Sequence, residues 1–164
     1  MPKNVTQARF ERYSLIAQQF GARTVVFQQA AARLLDLNVT QLECLQLIRH
    51  LGPLTASDLA REIGITQASI SAVVAKLIER KLIAKQPSPK DKRIRLLRLT
   101  DGSADFVDAI YDKHVARMKA IIGGISDAEL DIALGFMQVV EQEMKLTAIE
   151  LNRSASARAS CQAE

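Results

Sequence analysis

Apolar side chains near the N-terminus recur at alternating steps of three and four: Phe10, Tyr13, Ala17, Phe20, Thr24, Phe27, Ala31 and Leu34. That spacing predicts a long helix over 6–35 with a heptad-like seam. A second such seam, Leu130, Leu134, Met137, Val140, Met144 and Leu151, predicts a helix over 126–151. Val107, Ile110, Met118, Ile121 and Ile125 mark a third over 101–123. Between them the pattern shortens. A helix is expected over 40–50, and Leu59, Ile63, Ile65, Ile70 and Val73 hold two more, 55–63 and 66–80, in a fixed crossing around Gly64. Strands over 82–87 and 94–99 follow, joined by a turn at Pro87–Asp91.

Helix starts carry chemical marks. Thr40 with Glu43, Ser126 with Glu129 and Thr55 with Asp58 read as capping boxes, in which a hydroxyl and a carboxylate each satisfy an orphan amide. Thr66 and Thr100 are N-cap candidates for two further helices. The expected fold class is all-α with a small β-wing, a winged helix-turn-helix with flanking long dimerisation helices. Its parts are an N-terminal helix (1–37), the winged domain (38–100), two C-terminal helices (101–151) and a tail (152–164). The tail is small and polar and is expected to fray or be disordered. Three long amphipathic helices exceed what a small winged domain can cover. A second copy of the chain would cover them; a self-contained helical bundle is the alternative.

Charge sharpens the picture once it is located. Residues 64–100 hold nine cations against Glu79 and Asp91, a net +7, on a chain whose total is +4. A basic segment on a slightly acidic body is the electrostatic footprint of phosphate binding. The rest of the 164 residues excludes more than it assigns. Hydrophobic residues make up 48% of the chain, yet no apolar run reaches the roughly 18 residues of a membrane span, and the N-terminus lacks a signal-peptide core. Cys44 and Cys161 form no motif, Cys44 being expected in the core. No phosphate loop, nucleophile elbow or metal-ligand spacing is present, so neither an enzyme nor a cofactor or metal is expected. A cytoplasmic protein is the expectation.

The second helix of the hairpin buries Ile70, Val73, Val74, Leu77 and Ile78 and presents Ala68, Ser69, Ser71, Ala72, Ala75 and Lys76. Such a small, hydroxylated face can enter a major groove of double-stranded DNA without steric or charge conflict. Gln67 has an amide able to pair bidentately with adenine. Ser69 and Ser71 can bond to base edges or phosphate, Thr66 and the helix N-terminus suit a phosphate oxygen, and Lys76 is read as a phosphate contact. In the wing, Lys90, Lys92 and Arg93 are the cationic contacts, with Arg93 reaching the minor groove. Asp91 is read as a structural anchor that holds an arginine or caps the turn. Arg95 and Arg98 are either DNA contacts or solvated strand residues.

Residues 38–105 resemble the MarR family of winged-helix transcriptional regulators. The stretches that carry the resemblance are GPLTASDLAREIGIT, SISAVVAKLIERKLI and PSPKDKRIRLLRLTDGS, the last containing an Asp-x-Arg wing signature at Asp91 and Arg93. The resemblance implies a homodimer built on the first, fifth and sixth helices and a pseudo-palindromic operator. It also implies a repressor released by a small, often aromatic or anionic, effector. Gln67 and Ala72 stand where members often carry an arginine, Lys81 stands where a glycine is common, and neither cysteine occupies the redox-sensing position. The effector pocket implied by the resemblance has Arg23, Arg49, His50, Tyr111 and His114 as candidate polar groups. Arg49 and His50 could instead complement a helix C-terminus, and His114 could be a hydrogen-bonded interface residue. The competing function class is a winged-helix adaptor or antirepressor that contacts only proteins.

Overall fold

The computed structural model describes residues 6–161. The elements follow in the order α1 (Gln7–Leu34), α2 (Val39–Leu51), α3 (Ala56–Ile63), α4 (Gln67–Glu79), β1 (Ile83–Pro87), β2 (Arg95–Leu99), α5 (Asp101–Ile122) and α6 (Asp127–Cys161). The chain divides into two compact units, residues 1–43 and 44–164.

The first unit holds α1 and the opening turn of α2. Leaving α1, the chain reverses through Asp36 at φ 53°, and the Leu37 amide donates back to the Ala32 carbonyl at 2.8 Å. The capping box of α2 is not the expected Thr40–Glu43 pair. The helix begins earlier, at Val39, so Asn38 takes the cap: its Oδ1 accepts from the Gln41 amide at 2.8 Å, and Gln41 Oε1 accepts from the Asn38 amide at 3.0 Å. Two carboxamides perform the reciprocal satisfaction expected of a hydroxyl and a carboxylate. Along α1, Phe10, Phe20 and Leu34 of the expected seam are all more than half exposed.

The second unit has its core in the winged domain. Leu45, Leu59, Ile70, Leu77, Ile83 and Leu97 are fully buried there, each worth about 1.5–3 kcal/mol of transfer free energy. The strands are antiparallel with Ile83 opposite Leu99 and Lys85 opposite Leu97. Leu54 adds an isolated rung on the other edge of β2, exchanging two backbone bonds with Leu97 at 2.7 and 3.2 Å. Nothing in the local pattern announced that rung, because a single bridge has no periodicity.

The Thr55 box is present, with the Asp58 amide 3.1 Å from Thr55 Oγ1 and Asp58 Oδ2 accepting from the Thr55 amide at 3.2 Å. Ser126 and Glu129 likewise cap α6, at 2.9 and 3.4 Å. Helix α6 does not stop at 151 as expected. Its backbone stays helical through Cys161, where the alternating alanines of 155–159 are strong helix formers. The final part of the expected disordered tail, 162–164, lies outside the described residues. No helix among the described residues is long and apolar enough to cross a membrane.

Candidate nucleic-acid interface

The hairpin is set by its turn. Gly64 ends α3 at φ 75°, and the Gly64 and Ile65 amides both donate to the Ala60 carbonyl, at 2.9 and 3.1 Å. A residue with a Cβ is disfavoured in that left-handed conformation. Thr66 then opens α4 with extended backbone, its hydroxyl accepting from the Ser69 amide at 3.2 Å.

From that start the face of α4 follows. Ile70, Val74 and Leu77 are buried and Val73 and Ile78 half-buried, while Gln67, Ala68, Ser69, Ser71, Ala72, Ala75 and Lys76 are exposed. The inward set and the outward set agree with the pattern-based reading residue for residue. The first carboxylate on the helix is Glu79, its last residue. The hydroxyls are less free than the sequence suggested. Ser71 Oγ donates to the Gln67 carbonyl at 2.7 Å, and Ser69 Oγ lies 2.9 Å from Thr66 Oγ1. Each can still accept a bond, but donation to DNA would cost the local one. The Gln67 amide carries no such restraint.

The wing tip is a closed turn. The Ser88 amide donates to the Ile94 carbonyl at 2.9 Å, and the Ile94 amide to the Asp91 carbonyl at 3.0 Å. Asp91 Oδ1 accepts from the Arg93 amide at 2.9 Å, so of the two roles open to it the aspartate caps the turn. Buried Ser88 accepts from the Lys90 amide at 3.3 Å, anchoring the other shoulder. Lys90, Lys92 and Arg93 on this frame are exposed. Among the described residues no carboxylate pairs with Lys76, Lys90, Lys92 or Arg93. Arg98 differs: its guanidinium bonds to the Leu99 carbonyl at 3.1 Å and approaches Asp101 at 3.6 Å. It is thereby turned toward the start of α5, whereas Arg95 stays exposed.

Recognition helix and wing meet at Lys81. The residue has φ 59°, and the amides of Lys81 and Leu82 donate to the Ile78 and Leu77 carbonyls at 2.8 and 2.9 Å. This is the left-handed helix stop usually built on glycine. Thr100 stands at the N-cap of α5 as expected, but its hydroxyl makes no cap bond and donates instead to the Lys81 carbonyl at 2.8 Å. Ser103 Oγ donates to the Leu82 carbonyl at 2.6 Å. The clamp escaped the sequence reading because its partners lie about 20 positions apart.

The effector candidates divide. Arg23 is exposed on α1, in the first unit. Within the second unit, Arg49 and Tyr111 come together where α2 meets α5. Arg49 Nη2 is 2.7 Å from Asp108 Oδ2, and Tyr111 Oη bonds to Gln46 Nε2. The hydrogen bond from Arg49 holds Asp108 below the usual carboxylate range, with the charges of Arg49 and then His50 adding to it. Burial pushes the Tyr111 phenol up. His114 is exposed further along α5. Asp108 and Gln46 were missed as partners because nothing local marks a contact across roughly 60 residues. Among the described residues no cluster of side chains suits a metal ion.

Comparison with known proteins assigns the winged segment. Residues 37–94 match the sequence model of the MarR family. That stretch, which holds the hairpin and the wing tip, carries a MarR-family domain. It is 28% identical over 133 residues to the uncharacterized HTH-type transcriptional regulator YcgE of Bacillus subtilis, covering 78% of this chain and 86% of that one. Its fold is that of Streptococcus pneumoniae FabT, solved in complex with DNA, at TM-score 0.64 and 19% identity over 85% of this chain and 98% of that one. Bordetella bronchiseptica BpsR, whose DNA binding is regulated by 6-hydroxynicotinic acid, shares the fold at TM-score 0.53 and 23% identity, over 78% and 91% of the two chains. With this domain and these relatives, the chain is a DNA-binding transcriptional regulator of the MarR type.

Proposed function

We propose that this MarR-family regulator is a homodimeric repressor that binds a pseudo-palindromic operator and is released by a small aromatic or anionic effector. The observation that carries the DNA-reading part is the exposed face of α4. It is small, polar and free of carboxylates up to Glu79, and it is accompanied by three exposed cations at the wing tip. Each subunit lays α4 in a major groove with Gln67 toward the bases, while residues 88–93 approach the adjacent minor groove. Thr66, Ser69, Ser71 and Lys76 then face phosphates or base edges. A two-fold dimer sets the half-sites about 34–36 Å apart.

The dimer is supported by what each unit leaves uncovered. Phe10, Phe20 and Leu34 on α1 and Met137, Val139, Met144 and Leu151 on α6 are each more than half exposed. Apolar surface on that scale marks an interaction face. The effector is supported by the α2–α5 junction, where an anionic ligand would compete with Asp108 for Arg49, beside His50 and Tyr111. His114, further along α5, remains a candidate for the same ligand, and Arg23 on α1 a candidate effector residue in its own unit. The ligand's effect is bounded by its difference in affinity for the two spacings of the recognition helices.

The test is fluorescence-anisotropy binding to duplexes recovered from a random-sequence selection, beside scrambled controls, over about 50–300 mM salt. Selective binding by two chains per duplex, steeply weakened by salt, is expected. No enrichment in the selection, with equal weak binding to both duplexes, would sink the reading in favour of a protein-only adaptor.

A further inference from the structure

The long C-terminal helix does more than offer an apolar face. Two of its side chains reach back to the helix-turn-helix hairpin from 83 and 88 positions along the chain. Lys145 Nζ lies 2.6 Å from Glu62 Oε2, at the end of α3. Asn152 Nδ2 donates to the Gly64 carbonyl at 2.7 Å. Lys145, Ile149 and Asn152 are spaced by four and three, so they share one face of α6. The approach at the turn is close: a Cβ on Gly64 would stand 2.9 Å from Asn152 Nδ2. Beside the Asn152 contact lies an open cleft lined by Ala60, Gly64, Ile65, Thr66, Ile149 and Asn152. The junction is therefore held by polar pins of modest strength.

We infer that the C-terminal half of α6 is a strap on the helix-turn-helix, with Lys145 and Asn152 acting as positioning residues for the recognition helix. Both pins land on the three residues, Glu62 to Gly64, whose conformation sets the angle between α3 and α4. Gly64 already spends its amide on Ala60, so its carbonyl is the group through which α6 can fix the turn. The same helix carries Met137, Met144 and Leu151 on an adjoining face. On the homodimeric reading above, a shift of α6 at the subunit interface is thus passed to α4 through the pins.

The experiment uses the full-length chain carrying Lys145→Gln together with Asn152→Ala, and a duplex selected with the wild-type protein. Affinity is expected to fall about threefold to tenfold, the range for a half-buried ion pair and an exposed hydrogen bond. The slope of log affinity against log salt stays at its wild-type value, because no phosphate contact is removed. Amide hydrogen exchange at Gly64 and Ile65 quickens, that at Ile83 to Lys85 does not, and the mass by light scattering is unchanged. Lys145→Arg, which keeps the ion pair, retains wild-type affinity and exchange. Unchanged affinity and exchange in the double variant would overturn the strap. A reduced salt slope would overturn it too, making Lys145 a phosphate contact, as would loss of the dimer. If the wild-type protein selects no duplex, the repressor reading falls, and exchange at Gly64 and Ile65 alone decides the strap.

Discussion

The hydroxyl of Thr100 donates to the carbonyl of Lys81 at 2.8 Å, tying the first residue after β2 to the residue on which α4 stops. The Thr100 amide reinforces it, donating to the Leu82 carbonyl at 3.1 Å, and Ser103 Oγ reaches the same carbonyl. Recognition helix, wing and α5 therefore share one knot of backbone oxygens. Lys81 sits in that knot at φ 59°. Left-handed backbone disfavours a side chain, so the knot holds a strained residue where the two DNA-reading parts join.

Relief of that strain should be measurable. Lys81→Gly keeps every backbone bond of the helix stop and removes the Cβ conflict, so it is expected to stabilise the protein by about 1 kcal/mol. For a chain of this size that raises Tm by about 2–4 °C. A fall in Tm by calorimetry would show that the lysine side chain contributes more than its backbone costs.

Thr100→Val is the complementary change. It keeps the shape of the side chain and leaves the Lys81 carbonyl without its donor, while Ser103 still holds Leu82. A loss of about 1–2 kcal/mol in urea unfolding is expected. Operator affinity should fall with it, because the wing loses part of its attachment to α4. A variant as stable as wild type would mean that solvent replaces the hydroxyl without cost.

These two residues also mark the boundary of what sequence alone revealed. The inward and outward faces of α4 were readable because a 3.6-residue period is local, and Ile70, Val74 and Leu77 announce themselves within one window. That a lysine stands at position 81, where a glycine is common, was visible only through the family resemblance. The means of holding it was not, since Thr100 looked like an ordinary helix cap and its true acceptor lies 19 residues away. Asp91 was ambiguous for a related reason. A carboxylate beside arginines suggests an ion pair, whereas backbone geometry gave it the Arg93 amide. Local period is legible; a side chain's choice among distant partners is decided only by packing.

Three carboxylates give the stability a pH signature. The Thr55 hydroxyl and amide lower the Asp58 carboxyl, the Arg49 hydrogen bond lowers Asp108, and the Ser126 hydroxyl lowers Glu129. Each contribution is complete above the unfolded values of about 3.9 for Asp and 4.3 for Glu. As pH falls through those values toward the depressed ones, the unfolded chain takes up protons that the folded chain still refuses, and stability declines. Urea midpoints should be level from about pH 7 to pH 5 and drop below about pH 4. Asp108→Asn should show a shallower drop than wild type; identical slopes would remove the Arg49 pair from the explanation.

Arg93 and Gln67 should separate affinity from sequence preference. Arg93 stands on a turn closed by its own amide, exposed and without a carboxylate partner among the described residues, so its guanidinium is available to the DNA backbone or minor groove. Arg93→Ala is expected to weaken binding to all sequences and to reduce the salt slope by about 0.9, one phosphate's worth. Gln67 stands at the first exposed position of α4, where an amide reads a base edge. Gln67→Ala should leave the salt slope intact and relax discrimination at one position in each half-site, by about 1–3 kcal/mol. Were the two effects exchanged, with Arg93 governing sequence and Gln67 governing salt, the wing would be the reader and α4 the anchor.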